Sequence, residues 1–333
     1  MAASQAIVSH QKGIAEALAA DGQTQSLRGA NLHLQYLAQA LALAQPILFT
    51  DHVKWARDTS TARQIPQAEL AWKLERLGAT LQTILPAAEA QTSRSYLSQA
   101  QALLTSTATV PTSFVLEGQP LTALLQDYLK AMLAGDRRGA SSLILDTVAQ
   151  GASVKDVYLQ VFQPCQREIG RLWQLNQISV AQEHYCTAAT QLIMSQLYPQ
   201  LFAVERIGKT LVATSIAGDL HEIGVRMVVD IFELNGWDTY YLGSNTPAPA
   251  VIEAICQEKA DLLAVSVTLT LYLGAVQELI QQVRADPRCA HVKILVGGYP
   301  FSLAPTLWQQ MGADGCAQDA CEAVELANCL IAL

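Results

Sequence analysis

Asp219 and His221 are the residues whose types and spacing point most directly to chemistry in this 333-residue chain. They follow an apolar, β-branched run at residues 210–216 and precede a segment with helical periodicity, which places them in a strand-to-helix loop. An aspartate two residues before a histidine can hydrogen-bond one imidazole nitrogen and leave the other free for a metal ion. The alternative is an ordinary surface histidine.

The sequence shows no set of further side chains that would bind a metal ion together with His221. A zinc or non-haem iron site would require three or four protein donors. The seven cysteines are scattered without a CxxC pair, which favours reduced thiols over a disulfide framework or a zinc cluster. A single oriented histidine therefore fits a metal that a macrocycle already holds.

The spacing of later small residues indicates which macrocycle this is. Gly224 is followed by 41 residues (225–265) and then the SVT triplet at 266–268, and after 28 more residues (269–296) comes Gly297-Gly298. This DxHxxG, SxT, GG pattern resembles the cobalamin-binding domain shared by methionine synthase, mutases and corrinoid carriers, although SxL is the usual middle element. The resemblance implies that His221 is the lower axial ligand of cobalt. It also implies cofactor contacts from Asp219, Leu220, His221, Glu222, Ile223, Gly224, Ser266, Thr268, Gly297 and Gly298.

Elementary chemistry agrees with this assignment. Ser266 can hydrogen-bond within a slot for the nucleotide tail of the cofactor, and the glycines allow the tail to approach the backbone. The alternative for Gly297-Gly298 is an ordinary turn at the end of a strand.

A second group, Trp173 with Glu183-His184, lies in the helical region before this domain. The combination resembles adenosylcobalamin-dependent photoreceptors of the CarH type over about residues 120–333. The resemblance implies that Trp173 shields the upper face of the corrin, that Glu183 hydrogen-bonds the adenosyl ribose and that His184 lies beside it. The alternative is a half-buried core tryptophan near a solvated Glu-His pair.

Two departures separate the chain from those photoreceptors. Gln174 stands where they have the histidine that ligates cobalt after illumination, and their N-terminal DNA-binding domain is missing. Residues 1–104 instead resemble, around the DHVKW segment at 51–55, the helical region of photocobilins. That resemblance implies a bilin such as biliverdin as a second chromophore.

Three predicted domains would position these residues. Residues 1–112 are rich in Ala, Leu and Gln at helical spacing and predict an all-α N-terminal region that ends in a Thr/Ser-rich linker. Residues 113–206 predict a four-helix bundle, kinked at Pro164. Residues 207–333 alternate strands and helices, which predicts a flavodoxin-like, Rossmann-type α/β domain with a parallel sheet that binds its ligand at the carboxyl ends of the strands.

Composition narrows the function further. The net charge of −8 argues against direct binding of nucleic acid, which needs a basic surface. Apolar runs fall short of the ~18 residues that span a bilayer, and the N-terminus lacks the pattern of a signal peptide, so we expect a cytoplasmic protein.

The prediction is therefore a cobalamin-binding photoreceptor, rather than an enzyme, that uses adenosylcobalamin and signals through a partner protein or self-association. Two alternatives stay open. One is a corrinoid methyl carrier of a methyltransferase system, which shares the lower motif and the preceding helices. The other is a cobalamin-responsive regulator that does not use light.

Overall fold

The computed structural model describes residues 2–10, 13–14, 16–17, 24–105 and 110–331. The chain groups into two compact units. The first unit comprises Met1–Val110, Thr268–Gly274 and Tyr299–Leu307, and the second comprises Pro111–Val267, Ala275–Gly298 and Trp308–Leu333. The boundaries predicted at residues 112 and 206 stay predictions. In the described part of the chain, no helix is both long and apolar enough to cross a bilayer.

Helices build the N-terminal part of the first unit, as its Ala/Leu/Gln-rich sequence predicts. Prolines lie at three helix starts: Pro46 is the first residue of one helix, and Pro66 and Pro86 directly precede two others. The missing N–H of proline costs no hydrogen bond there, because the first N–H groups of a helix have no acceptor within it. Leu37, Phe49 and other apolar side chains form a buried core. The helices are α1 (Ala2–Ser9), α2 (Thr24–Ala42), α3 (Pro46–Ala62), α4 (Gln67–Ile84) and α5 (Ala87–Ala102).

The second unit begins with helical segments whose starts are capped by side chains. Asp136 and Ser153 accept backbone N–H bonds at two starts, and Ser179 forms a reciprocal capping box with Gln182. The segments are α6 (Thr122–Leu133), α7 (Arg137–Ala149), α8 (Val154–Val157), α9 (Gln163–Gln174), α10 (Val180–Gln196) and α11 (Tyr198–Leu201).

A π turn, Tyr158–Phe162, joins α8 to α9 just before Pro164. A proline inside an α-helix lacks one N–H donor, and its ring collides with the carbonyl group four residues earlier. The wider π turn accommodates this proline without ending the helix, so the irregularity predicted at Pro164 takes the form of a π turn.

Five parallel strands follow: β1 (Thr210–Ser215), β2 (Asp238–Tyr241), β3 (Leu262–Ser266), β4 (Lys293–Gly297) and β5 (Gly315–Ala317). Their order in the sheet is β2-β1-β3-β4-β5. The intervening helices are α12 (Ile223–Glu233), α13 (Ala248–Glu258), α14 (Leu273–Ala285), α15 (Tyr299–Leu303) and α16 (Leu307–Met311), and α17 (Ala320–Leu330) follows β5. The predicted Rossmann-like domain with a parallel sheet is confirmed.

One hydrophobic core joins the helical and sheet parts of the second unit. On the sheet side, Phe232 and Trp237 meet edge to face with ring centroids 5.2 Å apart. A buried polar contact crosses between the two parts, because the Tyr158 hydroxyl of the π turn donates to Asp230 Oδ2 of α12 at 2.8 Å. This contact therefore fixes the π turn of the second unit to α12.

The Asp230→Asn variant tests the cost of this contact. Burial, supported by the charge of Glu233, raises the pKa of Asp230 from 3.8 to about 6. The native state thus favours the protonated carboxyl, and its stabilising contribution is complete below pH 3.8 and lost as the pH rises through about 6. Relative to the Asn variant, the wild type should lose about 3 kcal/mol of unfolding free energy across this window.

Denaturant titrations at several pH values measure this difference. Asn retains an acceptor oxygen for the Tyr158 hydroxyl, so the variant isolates the charge. The exposed Asp127→Asn change is the control and should leave the pH profile unchanged. Parallel profiles for wild type and Asp230→Asn would contradict the prediction.

Candidate functional site

The site is built around a hydrogen-bonded pair in the loop between β1 and α12. Asp219 is fully buried, and its Oδ1 accepts from His221 Nδ1 at 2.7 Å and from the His221 backbone N–H at 3.1 Å. Because an ionised carboxylate only accepts, the ring proton resides on Nδ1. The His221 side chain is 57% exposed, which leaves its Nε2 available to a ligand.

Local backbone contacts hold the aspartate in place. The Ser215 hydroxyl at the end of β1 donates to the Asp219 carbonyl at 3.2 Å, and the Asp219 N–H donates to the Ile216 carbonyl at 3.0 Å. Gly218 adopts a φ of +91°, which favours glycine, and donates its N–H to Asn245 Oδ1 at 2.9 Å. The loop therefore presents His221 at the carboxyl end of the sheet.

Negative charge surrounds this histidine. The hydrogen bond to Asp219 raises the pKa of His221 above its usual 6.5 against the opposing effect of burial, and the charges of Asp219 and Glu183 add to the increase. Glu183 belongs to the first turns of α10. The carboxylate predicted for the upper rim thus lies close enough to His221 to affect its protonation.

Small residues occupy the carboxyl ends of four neighbouring strands. Strand register pairs Ser215 with Ser266, Ser266 with Gly297, and Gly297 with Ala317. Gly298 follows with a φ of +112°, and a Cβ there would lie 1.9 Å from the Val267 carbonyl oxygen. This small-residue row (Ser215, Ser266, Gly297 and Ala317) gives an edge of the sheet with little side-chain bulk.

The three predicted rim residues lie where α9 ends and α10 begins, on either side of residues 175–179. Trp173 is partly buried in the last turn of α9, directly before Gln174. Glu183 Oε2 lies 3.3 Å from His184 Nδ1, and Glu183 Oε1 accepts from the Thr187 hydroxyl at 3.2 Å. The side chain of His184 is 75% exposed, so the rim is open at this residue.

The remaining motif residues take different positions. Leu220 is exposed, Ile223 is partly buried, and a Cβ on Gly224 would meet no atom within 4 Å. Thr268 groups with the first unit. Glu222, just before α12, accepts a hydrogen bond from Gln191 Nε2 of α10 at 3.0 Å.

Sequence reasoning missed three of these participants. Ser215 and Ala317 could have been found by asking which residue ends each apolar strand, since small residues recur at that point. Gln191 carries no such signal, because a glutamine in the middle of an amphipathic helix resembles any solvated residue. Its contact depends on how α10 packs against the loop.

These residues fit a metal carried by a macrocycle. Within the described ranges, no group of three or more His, Cys, Asp or Glu side chains could hold a metal ion by itself. His221 offers one oriented nitrogen, Gly224 offers open space, and the small-residue row lacks bulk where a planar ring and its tail would need room. Fold and site together fit the class of cobalamin-binding proteins.

Comparison with known proteins supports this class. Residues 209–326 match the family model of the B12 binding domain, and residues 124–198 match a second B12 binding domain model. Neither match extends into residues 1–123. Two stretches of the chain therefore resemble B12 binding domains, and the coarse cofactor prediction, a corrinoid, is confirmed.

Curated relatives cover the same part of the fold. Monomethylamine corrinoid protein 1 of Methanosarcina acetivorans is 28% identical over 196 residues, which is 57% of this chain and 88% of the relative. Monomethylamine corrinoid protein 2 of Methanosarcina mazei is 27% identical over 213 residues, 62% of this chain and 96% of the relative. The structure of a Methanosarcina barkeri monomethylamine corrinoid protein aligns with a TM-score of 0.56 and 22% identity, covering 62% of this chain and 98% of that chain, and shows a shared fold.

The photoreceptor prediction is wrong. The relatives that match both the helical segments and the sheet domain are corrinoid proteins by name, and they favour the methyl-carrier alternative. The matches give no support to adenosylcobalamin as the native form or to a bilin. The Trp173 and Glu183-His184 pattern misled because these residue types do not specify an adenosyl group.

Gly298→Ala tests the close approach at the end of β4. The substitution combines an unfavourable positive φ with an overlap against the Val267 carbonyl, and should lower the unfolding free energy by about 3 kcal/mol. Gly118→Ala is the matched control, because Gly118 has a φ of +80° with no atom within 4 Å of a new Cβ. It should cost about 1 kcal/mol in thermal or denaturant unfolding, and equal losses would contradict the overlap.

Proposed function

We propose that this protein is a corrinoid methyl carrier that works with methyltransferase partners. The observation that carries the proposal is the match over 88% and 96% of the lengths of relatives named as monomethylamine corrinoid proteins. A corrinoid bound here would supply a cobalt centre that takes a methyl group from one partner and passes it to another. The predicted partner protein is then a methyltransferase.

Residues of the loop would hold the cofactor. His221 Nε2 would bind the metal, while the buried Asp219 keeps the ring proton on Nδ1 and fixes the plane of the imidazole. The hydrogen bond that Nδ1–H donates to the carboxylate also raises the electron-donating power of the ring. Ser266, Gly297 and Gly298 would receive the nucleotide tail.

The rim suits a carrier that must be reached by other proteins. His184 is largely exposed, and Glu183 accepts a hydrogen bond from Thr187 one turn later in the same helix, while Trp173 supplies a partly buried apolar surface. A methyl group on the cofactor has no polar atom that needs a hydrogen bond. The class of methyl donor we infer is a methylated amine, since relatives are named for monomethylamine and dimethylamine.

A methyl-transfer assay tests the proposal. Protein loaded with hydroxocobalamin is reduced, exposed to radiolabelled methyl iodide and freed of excess reagent by gel filtration. The label should remain with the protein and move to a thiol only when a corrinoid:thiol methyltransferase is added. Failure to take up a corrinoid, or label that no methyltransferase removes, would refute the carrier function.

His221→Ala is expected to remove the nitrogen ligand from cobalt. The paramagnetic Co(II) form of the loaded wild type should show nitrogen splitting that changes when histidine carries the heavy nitrogen isotope, and the variant should lack it. The exposed His291→Ala change is the control and should retain the wild-type spectrum. Unchanged splitting in His221→Ala would mean that another base binds the metal.

Gly224→Ala separates folding from cofactor binding. A new methyl group at the start of α12 meets no protein atom within 4 Å, and alanine is a better helix former, so the cofactor-free protein should gain up to about 1 kcal/mol. The same methyl group would occupy space proposed for the corrin, and should weaken uptake of hydroxocobalamin about tenfold or more in spectroscopic titrations. Unchanged affinity would show that the cofactor does not approach this glycine.

A further inference from the structure

Two cysteine sulfurs lie in contact in the sheet part of the second unit. Cys256 Sγ and Cys289 Sγ are 3.7 Å apart, and both residues are free thiols. Cys256 belongs to α13, and Cys289 is the last residue of a 3₁₀ turn, Pro287–Cys289. The two residues are 33 positions apart in the chain, so tertiary packing brings their sulfurs together.

This cysteine pair lies at the amino end of the parallel sheet. Cys256 precedes β3 and Cys289 precedes β4, and the strand register places the first residues of these two strands, Leu262 and Lys293, side by side. The small-residue row and His221 lie at the opposite, carboxyl end of the sheet. Oxidation of the cysteines therefore involves none of the residues assigned to the corrinoid, and it is independent of the methyl-carrier function.

An arginine connects the turn to the face of α13 that carries Cys256. Arg288 lies directly before Cys289, and its guanidinium donates to Glu253 Oε2 at 3.3 Å, one helical turn before Cys256. Arg288 Nε also lies 3.1 Å and 3.2 Å from the two carboxylate oxygens of Asp286. The hydrogen bond to Asp286 raises the pKa of Arg288, and Cys256 adds to this increase, so the guanidinium lies close to the Cys256 sulfur.

The two thiols differ in accessibility and in acidity. Cys256 is partly exposed, whereas Cys289 is fully buried. Burial, supported by the hydrogen bond with Cys256, raises the pKa of the Cys289 thiol, so Cys289 stays protonated at neutral pH. A cysteine that reacts with oxidants is accessible to solvent and lies near positive charge, often with a second thiol beside it. Cys256 next to Arg288 fits the first position, and Cys289 fits the second.

Formation of a bond between the two sulfurs needs only a small movement. A disulfide bond is about 2.05 Å long, so the sulfurs must approach by about 1.7 Å from their contact at 3.7 Å. Rotations about the two Cα–Cβ bonds change the distance between the sulfurs without moving either backbone. The bond would join α13 covalently to the turn before β4, and a thiol reductant would reverse it.

We propose that Cys256 and Cys289 form a redox-sensitive modification site, which hydrogen peroxide converts to a disulfide. The Cys256 thiolate attacks one peroxide oxygen, so that an S–O bond forms, the O–O bond breaks, and the leaving hydroxide takes a proton to become water. The Cys289 sulfur then attacks the sulfenic acid sulfur of Cys256. The S–S bond forms, the S–O bond breaks, and the hydroxide leaves with the Cys289 proton as a second water. Two thiols are thus oxidised by two electrons, and one hydrogen peroxide is reduced to two waters.

Peroxide treatment of the full chain, without corrinoid, tests the proposal. Protein that has been reduced and freed of reductant is treated with hydrogen peroxide, quenched in acid, alkylated with N-ethylmaleimide under denaturing conditions and digested. Mass spectrometry should detect a linked peptide pair that contains Cys256 and Cys289 and that disappears after treatment with dithiothreitol. Full alkylation of both cysteines when the exposed Cys329 is already oxidised, or peptides that link other cysteines in their place, would overturn the proposal.

Serine variants assign the two roles. In Cys289→Ser the sulfenic acid of Cys256 has no thiol beside it, so dimedone should label Cys256 about tenfold more than in the wild type, where the adjacent thiol consumes the sulfenic acid. In Cys256→Ser the linked peptides should be lost, and dimedone should not label the buried Cys289. Cys329→Ser changes an exposed cysteine and is the matched control, which should form the link as the wild type does. Equal labelling of Cys256 in the wild type and Cys289→Ser would refute the proposal.

Discussion

The hydrogen bond between Asp219 and His221 is the interaction on which the corrinoid site depends. A lone imidazole on a loop would sample several rotamers and both tautomers, and either nitrogen could meet a ligand. Here a fully buried carboxylate fixes the proton on Nδ1 and the direction of Nε2. The aspartate is in turn held by Ser215 and Ile216 of the strand end. The Asp219 side chain therefore connects the end of β1 to the His221 ring and fixes the position of that ring.

The same sheet explains why the other site residues can act together although they are far apart in sequence. Parallel register brings the ends of β1, β3, β4 and β5 to one edge, so that small residues at four separate positions form a single row. Helix α10 then meets the loop through Gln191 and Glu222, and Tyr158 ties the π turn to α12. Because the core is continuous, movement of the helices relative to the loop would have to break these polar contacts.

The parallel sheet and the loop position of Asp219 and His221 could be predicted from the sequence because both depend on short-range patterns. Alternating apolar strands and helices identify a parallel sheet, and DxHxxG acquires meaning from its position at a strand end. The π turn before Pro164 was not predictable, since a proline indicates only that regular helix is interrupted and not how the chain responds. Contacts such as the one between Gln191 and Glu222 arise from tertiary packing, and the residue types alone do not indicate them. The function of the rim was predicted wrongly for a related reason. Trp173, Glu183 and His184 give the composition of a surface, whereas function depends on which ligand or partner binds to that surface.

Histidines in the two units show how environment sets the state of an imidazole. At His221 a carboxylate withdraws the Nδ1 proton toward itself and enriches the ring, which suits a nitrogen that must donate electrons to a metal. At His33 the neighbours are a second neutral imidazole and a lysine, and burial keeps the ring uncharged. The same side chain is thus oriented for electron donation in one unit and held neutral in a buried pair in the other by the groups beside it.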